Sequence, residues 1–257
     1  MLLALDAGNT NITIGVFRNG DLKRRWRLRT VHDQTADEWG ILLRNLFALA
    51  GLDLAAIDGL IVSSVVPPLD PVLAAMAREY FHREAVFVTP ETDTGLEIAY
   101  DNPAEVGADR VVNSVAAYHR FGGPCVVVDF GTAITFDVIS ADARYLGGLI
   151  CPGVGIATAG LFARTARLPM VEFKRPEKLI GTSTVGSIQS GLYHGMVAMV
   201  DGILDRLVAE LGEATRVVAT GGEAKLVAAE SRRIQSVDED LTLRGLELIW
   251  ARLKAKQ

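Results

Sequence analysis

The sequence predicts an α/β protein built from two related halves. One observation is a repeat: an apolar strand that ends in Asp, a Gly/Thr turn and an alternating strand occur at 2–17 and again at 125–136. The other is that helical and strand patterns alternate along the chain. The length of 257 residues suits one large domain or two of ordinary size. We therefore expect an N-terminal domain at 1–120 and a C-terminal domain at 121–257.

The first half opens with a predicted β-meander. Strand patterns cover 2–5 and 11–18, and Asn19-Gly20 predicts a two-residue hairpin turn into a third strand that runs to Arg29. One face of that third strand is predicted to carry Leu22, Arg24, Trp26 and Leu28, and the other Lys23, Arg25, Arg27 and Arg29. The basic row is typical of a solvated face.

Helices and further strands follow the meander. Thr35 and Glu38 have the spacing of a capping box, and Gly51 can end the helix that they begin. Asp70 is expected to cap the next helix. The remaining elements of the first half are a strand at 59–66, a helix to 81, a strand at 85–88, a turn-rich stretch at 89–103 and a helix at 104–119.

The second half repeats the meander from Pro124 to Ile150. After it we expect a helix to about residue 166, a long helix at 185–211, a strand at 216–219, a short helix, a strand near 234–237 and a helix at 241–254.

Composition, net charge and cysteine spacing limit the class of protein and its cellular compartment. Hydrophobic residues make up 49% of the chain and charged ones 22%, which is typical of a globular protein. A net charge of −5 argues against nucleic acid as a main partner, because neutralising phosphates needs a basic face. Cys125 and Cys151 form no Cys-x-x-Cys pair, so a reducing compartment fits best. With no signal peptide and no apolar stretch near the ~20 residues that span a bilayer, we expect a cytoplasmic protein with no membrane partner.

The repeated turn suggests a nucleotide site. Backbone N–H groups and hydroxyls of such a turn can bind an anion, while the Asp at the strand end can hold a cation. One Asp-Gly-Asn-Thr alone would be read as a hairpin turn, but two copies predict a clamp for a nucleoside triphosphate. Asp129 has a competing interpretation, in which it caps nearby amides and holds no metal. Gly221 and Gly222 would let an adenosine approach the backbone. The signatures of the P-loop and of the dinucleotide-binding turn are absent from the sequence.

The segment Gly107-Ala-Asp-Arg110 is a candidate acceptor site. On the predicted helix Asp109 has Glu105 four residues before it and no basic residue three or four positions away. We therefore expect its carboxylate to interact with a group outside the helix. In phosphoryl transfer such an Asp can take the proton of the acceptor hydroxyl. Arg110 can hold an anionic group. The alternative is a surface Asp and an Arg in a structural salt bridge.

Taken together, these motifs resemble those of the type III pantothenate kinases, members of the superfamily of acetate and sugar kinases, heat-shock ATPases and actins. The resemblance runs nearly end to end. Its motifs are Asp6–Thr10, Tyr100–Pro103, Gly107–Arg110, Asp129–Thr132, Gly147–Gly153, Thr165–Pro169, Thr184–Gly191, Thr220–Gly222 and Asp240–Gly245.

The resemblance implies a fold and an activity. The fold would be a pair of duplicated ribonuclease H-like (actin-like ATPase) domains, with mixed β-sheets flanked by helices and a nucleotide cleft between the halves. The activity would be ATP-dependent phosphorylation of pantothenate to 4'-phosphopantothenate, the first step of coenzyme A biosynthesis, in a homodimeric enzyme.

The resemblance also implies roles for residues. Asp109 would be the general base, and Asp129 would hold the required monovalent cation, K⁺ or NH₄⁺. ATP with Mg²⁺ would be bound by Asp6, Ala7, Gly8, Asn9, Thr10, Asn11, Ile12, Thr13 and Thr132. Pantothenate would be bound by Tyr100, Gly107, Ala108, Asp109, Arg110 and Thr184.

Two other functions stay open at this point. One is a non-catalytic, nucleotide-binding regulatory relative, against which the retention of Asp6, Asp109 and Asp129 argues. The other is a different small-molecule kinase of the same superfamily, which would share the ATP-binding residues and differ in its acceptor.

Overall fold

The computed structural model of the protein describes residues 1–163 and 169–256. The chain divides into two compact units. Unit 1 contains Met1–Leu96, Tyr100–Ala116 and the segment that begins at Leu241, and unit 2 contains Glu97–Ala99 and Ala117–Asp240. The division into halves at 1–120 and 121–257 stays a hypothesis about the duplicated sequence.

The described residues form two mixed sheets and several helices. The strands are β1 (Leu2–Ala7), β2 (Asn11–Arg18), β3 (Asp21–Arg29), β4 (Gly59–Ser64), β5 (Ala85–Phe87), β6 (Glu97–Ile98), β7 (Cys125–Phe130), β8 (Ala133–Ile139), β9 (Arg144–Pro152), β10 (Arg216–Gly221) and β11 (Ser236–Val237). The α-helices are α1 (Ala36–Leu49), α2 (Asp70–Phe81), α3 (Ala108–Phe121), α4 (Val154–Ala163), α5 (Thr184–Leu211), α6 (Ala224–Ala228) and α7 (Leu241–Lys254).

The sheet of unit 1 has the strand order β3-β2-β1-β4-β5. β1, β2 and β3 form the predicted antiparallel meander, while β4 and β5 run parallel to β1. Asn19 and Gly20 have φ values of 54° and 80°, which confirms the predicted hairpin turn. The sequence therefore predicts correctly that β2 and β3 are neighbours, and the pair lies at one edge of this sheet.

Both faces of β1 are buried, as its uninterrupted apolar run requires. Alternate residues Leu3 and Leu5 face the core formed with α1 and α2. Leu2 and Ala4 face a second core, to which α3 contributes Val112 and Val115 and α7 contributes Leu243, Leu246 and Ile249. Asp6 follows Leu2 and Ala4 in this alternation, so it belongs to the face that α3 and α7 cover.

The sheet of unit 2 has the order β11-β10-β7-β8-β9-β6. Its antiparallel meander β7-β8-β9, with β10 parallel to β7, repeats the arrangement of β1-β2-β3 and β4. Val126 and Val128 of β7 pack in a core with Met196, Val200 and Leu204 of α5. The predicted duplication is thus present in the topology of the two sheets.

Several predicted boundaries are confirmed and others are wrong. Thr35 and Glu38 form the full capping box of α1, and Gly51, with φ 66°, follows the end of that helix. Asp70 is not the cap of α2: a 3-10 helix precedes it, so Asp70 is already helical. The strand β6 lies in a stretch that the sequence predicted to be turns, because two residues carry no recognisable alternation.

The predicted helix at 104–119 is wrong at its start. Pro103–Glu105 form a 3-10 helix capped by Asn102, Val106 is extended, and α3 begins only at Ala108. Gly107, a poor helix former, lies at this break. Asp109 is therefore in the first turn of α3, and Glu105 is not its neighbour one helical turn earlier.

The predicted helix that continues to residue 166 and the motif Thr165–Pro169 fall in part on residues 164–168, outside the described residues. Among the helices that the structure describes, none is both long and apolar enough to cross a membrane.

Candidate active site

The first of the two Gly/Thr turns lies at the end of β1. The N–H of Gly8 donates to the carbonyl oxygen of Asn11 over 3.0 Å, which closes the turn between β1 and β2. A Cβ atom on Gly8 would be 3.0 Å from that same oxygen, so a larger residue would crowd the turn. Asn9 and Thr10 at its tip are exposed. The turn thus presents a short, constrained stretch of backbone, as an anion site requires.

Asp6 is flanked by hydroxyl side chains on both sides. In the antiparallel pair Asp6 lies opposite Thr13, and in the parallel pair it lies opposite Ser63 of β4. Side chains directly opposite each other share one face of a sheet, so the three form a row. Ser63 is fully buried, and its hydroxyl has no hydrogen-bond partner among the described residues. Ser63 could not be identified from the sequence, because the pairing of β4 with β1 is not visible there.

Gly107 lies against the ends of these same strands. The N–H of Val65, just after β4, donates to the carbonyl oxygen of Ala7 over 3.0 Å. A Cβ atom on Gly107 would be 3.5 Å from Cγ1 of Val65 and 2.6 Å from Oδ1 of Asp109. The missing side chain of Gly107 therefore leaves room for the Asp109 carboxylate near the carboxyl ends of β1 and β4. In open α/β sheets this end is where ligands bind.

Asp109 combines a partly buried carboxylate with a raised pKa. Burial raises the pKa of Asp109, while the hydrogen bond from the N–H of Arg110 and the positive charge of Arg110 offset part of the rise. The N–H of Arg110 donates to Oδ1 of Asp109 over 2.8 Å. A carboxylate with a raised pKa accepts a proton more readily than an ordinary Asp, which is the property of a general base.

The other residues of unit 1 that are predicted to bind the phosphoryl acceptor lie before and after Asp109 in the chain. Arg110 is buried in α3, and its carbonyl oxygen accepts a hydrogen bond of 2.8 Å from the hydroxyl of Ser114. Tyr100 and Ala108 are partly buried. The planar guanidinium of Arg110 matches the geometry of a carboxylate or another anionic group.

Unit 2 repeats the row of Asp6. Asp129, at the end of β7, lies opposite Thr135 in the antiparallel pair and opposite Thr220 in the parallel pair with β10. The N–H of Gly131 donates to the carbonyl oxygen of Ala133 over 3.0 Å and closes the second turn. Thr132 in that turn is exposed. Each unit therefore carries one Asp between two hydroxyl side chains at the end of its central strand.

Gly221 packs directly on Asp129. Its φ is 94°, and a Cβ atom there would be 2.4 Å from the carbonyl oxygen of Phe130 and 2.7 Å from Oδ1 of Asp129. Only glycine fits a position with this φ and this spacing. The approach of adenosine to Gly221 and Gly222 stays a prediction; in the structure Gly221 packs closely on the strand that carries Asp129.

A cation at Asp129 would need some ligands besides acidic or histidine side chains. Among the described residues no three His, Cys, Asp or Glu side chains are grouped so that they could hold a metal. Hard monovalent and divalent cations also accept carbonyl and hydroxyl oxygens. The carbonyl of Phe130 and Oδ1 of Asp129 both lie against Gly221, and Thr135 and Thr220 are the strand neighbours of Asp129. The hydroxyl of Thr135 donates to Oδ2 of Asp137 over 3.1 Å, which leaves its oxygen lone pairs available. The donor set therefore fits a hard cation, and not zinc.

Thr184 is exposed at the first position of α5, which Ser183 caps through a hydrogen bond of 3.1 Å from the N–H of Gly186. Thr184, Asp129 and Thr132 belong to unit 2, whereas Tyr100, Asp6–Thr13 and Gly107–Arg110 belong to unit 1.

Solved structures of other proteins share the fold of this chain. A proposed Baf-family transcriptional activator from Campylobacter jejuni superposes with a TM-score of 0.59 at 21% identity, covering 98% of this chain and 99% of the other. A proposed N-acetylglucosamine kinase from Porphyromonas gingivalis gives a TM-score of 0.52 at 12% identity, with 100% of each chain covered. The expected fold of duplicated, actin-like ATPase domains is thereby confirmed, and the protein is of this fold class.

Sequence comparisons identify the family. The family model for type III pantothenate kinase matches residues 2–206. The type III pantothenate kinase of Solibacter usitatus is 62% identical, with 98% of this chain and 97% of the relative covered. That of Koribacter versatilis is 53% identical, with 98% and 96% covered. The chain belongs to the type III pantothenate kinase family, and it is a kinase that uses ATP.

Proposed function

We propose that the protein phosphorylates pantothenate to 4'-phosphopantothenate with ATP, the first step of coenzyme A biosynthesis. The observation that carries the proposal is the Asp109 carboxylate, which has a raised pKa and lies in the first turn of α3 with Arg110 beside it. Pantothenate has a hydroxyl that must lose a proton and a carboxylate that needs a positive partner. Asp109 and Arg110 supply these two functions.

Asp109 acts as the base in this proposal. The terminal hydroxyl oxygen of pantothenate attacks the γ-phosphorus of ATP, and the bond from that phosphorus to the bridging oxygen breaks, which releases ADP. The hydroxyl proton passes to the Asp109 carboxylate. Because phosphoryl transfer depends mainly on positioning and charge stabilisation, the orientation of the hydroxyl by Asp109 is as important as the proton transfer.

Residues on both sides of Asp109 are assigned to acceptor binding. Arg110 would pair with the anionic end of pantothenate, and the guanidinium fork suits a carboxylate. Tyr100, Gly107, Ala108 and Thr184 complete the proposed set. The support for Gly107 is its lack of a side chain next to Oδ1 of Asp109.

The residues at the ends of β1 and β7, with the turns that follow them, are assigned to ATP and its cations. Asp6, the turn that follows it and β2 as far as Thr13 would bind ATP with Mg²⁺, as would Thr132 of the second turn. Magnesium supplies charge neutralisation for the phosphate oxygens when it is bound. Asp129 would hold K⁺ or NH₄⁺ with hydroxyl and carbonyl oxygens of its neighbours, for which the Thr135–Asp129–Thr220 row is the support.

A homodimer in the cytoplasm completes the proposal. The support for the dimer is α4, whose residues are apolar or small all round, with Ile156 exposed. A helix of this composition is normally covered by another surface.

The deciding experiment supplies purified protein with ATP, Mg²⁺ and pantothenate, with and without K⁺ or NH₄⁺, and measures 4'-phosphopantothenate. We expect product only when a monovalent cation is present. ATP binding without product formation would favour a non-catalytic regulator. Product from other alcohols in a substrate panel, but not from pantothenate, would favour another small-molecule kinase.

A further inference from the structure

Thr30 ties the first Gly/Thr turn to the end of β3. Its Oγ1 donates to the carbonyl oxygen of Gly8 over 2.6 Å, and its N–H donates to the carbonyl oxygen of Thr10 over 3.0 Å. Thr30 is only 8% exposed, so water competes poorly for these bonds. A single residue therefore holds two carbonyl groups, one on either side of Asn9.

These bonds orient the donors of the turn. In a trans peptide the C=O and the N–H point in opposite directions. The carbonyl of Gly8 points to Thr30, so the N–H of Asn9 in the same peptide points away from it. The N–H of Gly8 is already bonded to the carbonyl oxygen of Asn11, so the backbone of the turn is held on the side of Thr30 and β2. Asn9 is exposed to solvent.

Unit 2 contains an equivalent support. Gly153 follows β9 directly, as Thr30 follows β3. A Cβ atom on Gly153 would lie 2.2 Å from the carbonyl oxygen of Thr132 and 2.6 Å from that of Gly131. In each meander the residue after the third strand contacts the carbonyl groups of the Gly/Thr turn, by hydrogen bonds in unit 1 and by direct backbone packing in unit 2.

We propose that Thr30 is a positioning residue for the triphosphate of ATP: its hydroxyl holds the Gly8 carbonyl so that the N–H of Asn9 meets a phosphate oxygen. The proposal rests on the proposed ATP-binding role of the turn. Preorganised backbone donors bind an anion with less loss of conformational entropy than donors that must first be ordered. Removing the hydroxyl should weaken the binding of ATP more than that of the acceptor.

The test compares Thr30→Val, which keeps the shape and removes the donor, with Thr30→Ser, which keeps the donor. Thr215→Val is the matched control: Thr215 is 2% exposed and its Oγ1 donates to the carbonyl oxygen of Gly212 over 2.6 Å, so an equivalent buried bond is lost outside the turn. Nucleotide affinity is measured by titration calorimetry with a non-hydrolysable ATP analogue and Mg²⁺, and KM for ATP and for pantothenate are measured separately.

We expect Thr30→Val to weaken analogue binding and raise KM for ATP by about tenfold, as the loss of one hydrogen bond implies. Thr30→Ser should stay within about twofold of the wild type, KM for pantothenate should be unchanged, and Thr215→Val should lower stability alone. Equal analogue affinity in Thr30→Val and the wild type would overturn the proposal. If Thr30→Val fails to fold, Thr30→Cys, a weak donor, replaces it under the same criterion.

The calorimetric result does not depend on the acceptor. If the wild-type protein binds the analogue but makes no 4'-phosphopantothenate, the proposed function fails while the role of Thr30 is still decided. If the wild-type protein does not bind the analogue at all, the nucleotide role of the turn and the role of Thr30 fail together.

Discussion

The N–H of Arg110 donates a hydrogen bond of 2.8 Å to Oδ1 of Asp109, the residue before it in α3. This bond fixes the carboxylate at the start of the helix, where the helix dipole also favours a negative charge. Burial acts in the opposite direction and has the larger effect, so the pKa of Asp109 is raised. The carboxylate is thus held in place without losing its ability to accept a proton.

Asp109→Asn should remove catalysis and leave folding intact. The amide oxygen can still accept the Arg110 N–H, but it cannot take a proton, so kcat should fall by about 10²–10⁴-fold. Because the folded-state pKa of Asp109 is raised, its charge opposes folding at neutral pH, and the free energy of unfolding should be unchanged or higher. Kinetics and urea titration at pH 7 provide the check, with exposed Asp33→Asn as control. Activity near the wild-type level would exclude Asp109 as the base.

The pH dependence follows from the same shift. Asp109 is active as the carboxylate, so kcat/KM should fall as the pH is lowered through its folded-state pKa. Since burial raises the pKa of Asp109, this acidic limb should lie above the value of about 3.9 that is usual for Asp. The measurement is a pH–rate profile of kcat/KM under conditions in which the protein stays folded. A limb at or below the ordinary Asp value contradicts the assignment.

Gly153→Ala should distort the second turn. The new Cβ would lie 2.2 Å from the carbonyl oxygen of Thr132, and a backbone atom cannot yield as a flexible side chain does. We expect a loss of about 1–3 kcal/mol in the free energy of unfolding and a marked loss of activity. Gly191→Ala is the control, because nothing lies within 4 Å of its added Cβ and the change favours the helix. Equal behaviour of the two variants in urea titration would show that the turn tolerates the shift.

Much of the local structure could be predicted from sequence. The Asn19-Gly20 hairpin, the capping box of Thr35 and the duplicated meander all depend on residues that are close in the chain. The contacts of Ser63 and Gly153 could not be predicted in the same way. Ser63 lies beside Asp6 because β4 pairs with β1, and Gly153 lies against Thr132 because of packing between segments that are distant in the chain. The start of α3 was missed because a capped 3-10 turn at Pro103 has nearly the same residue signals as a helix start.

Asp129→Asn should reduce activation by monovalent cations. The substitution removes the only formal charge of the Thr135–Asp129–Thr220 row while it keeps the shape and the oxygen ligand. The K⁺ concentration that gives half-maximal activity should rise by roughly tenfold or more, because the charge of the ligands sets the affinity for a cation, and KM for pantothenate should change little. Asp142→Asn, which breaks an exposed ion pair with Arg144 in the same unit, is the control. An unchanged K⁺ dependence would show that the cation binds elsewhere.

Ile156→Glu should produce a monomer. Ile156 is 49% exposed on α4, and a charge there would have to be buried in any interface that this apolar helix forms. Sedimentation velocity over a range of protein concentrations should show a dimer for the wild type and a monomer for the variant. Ile41→Glu is the matched control, because Ile41 is 56% exposed on the amphipathic helix α1. A wild-type monomer would refute the dimer, and a dimeric Ile156→Glu variant would place the interface on another surface.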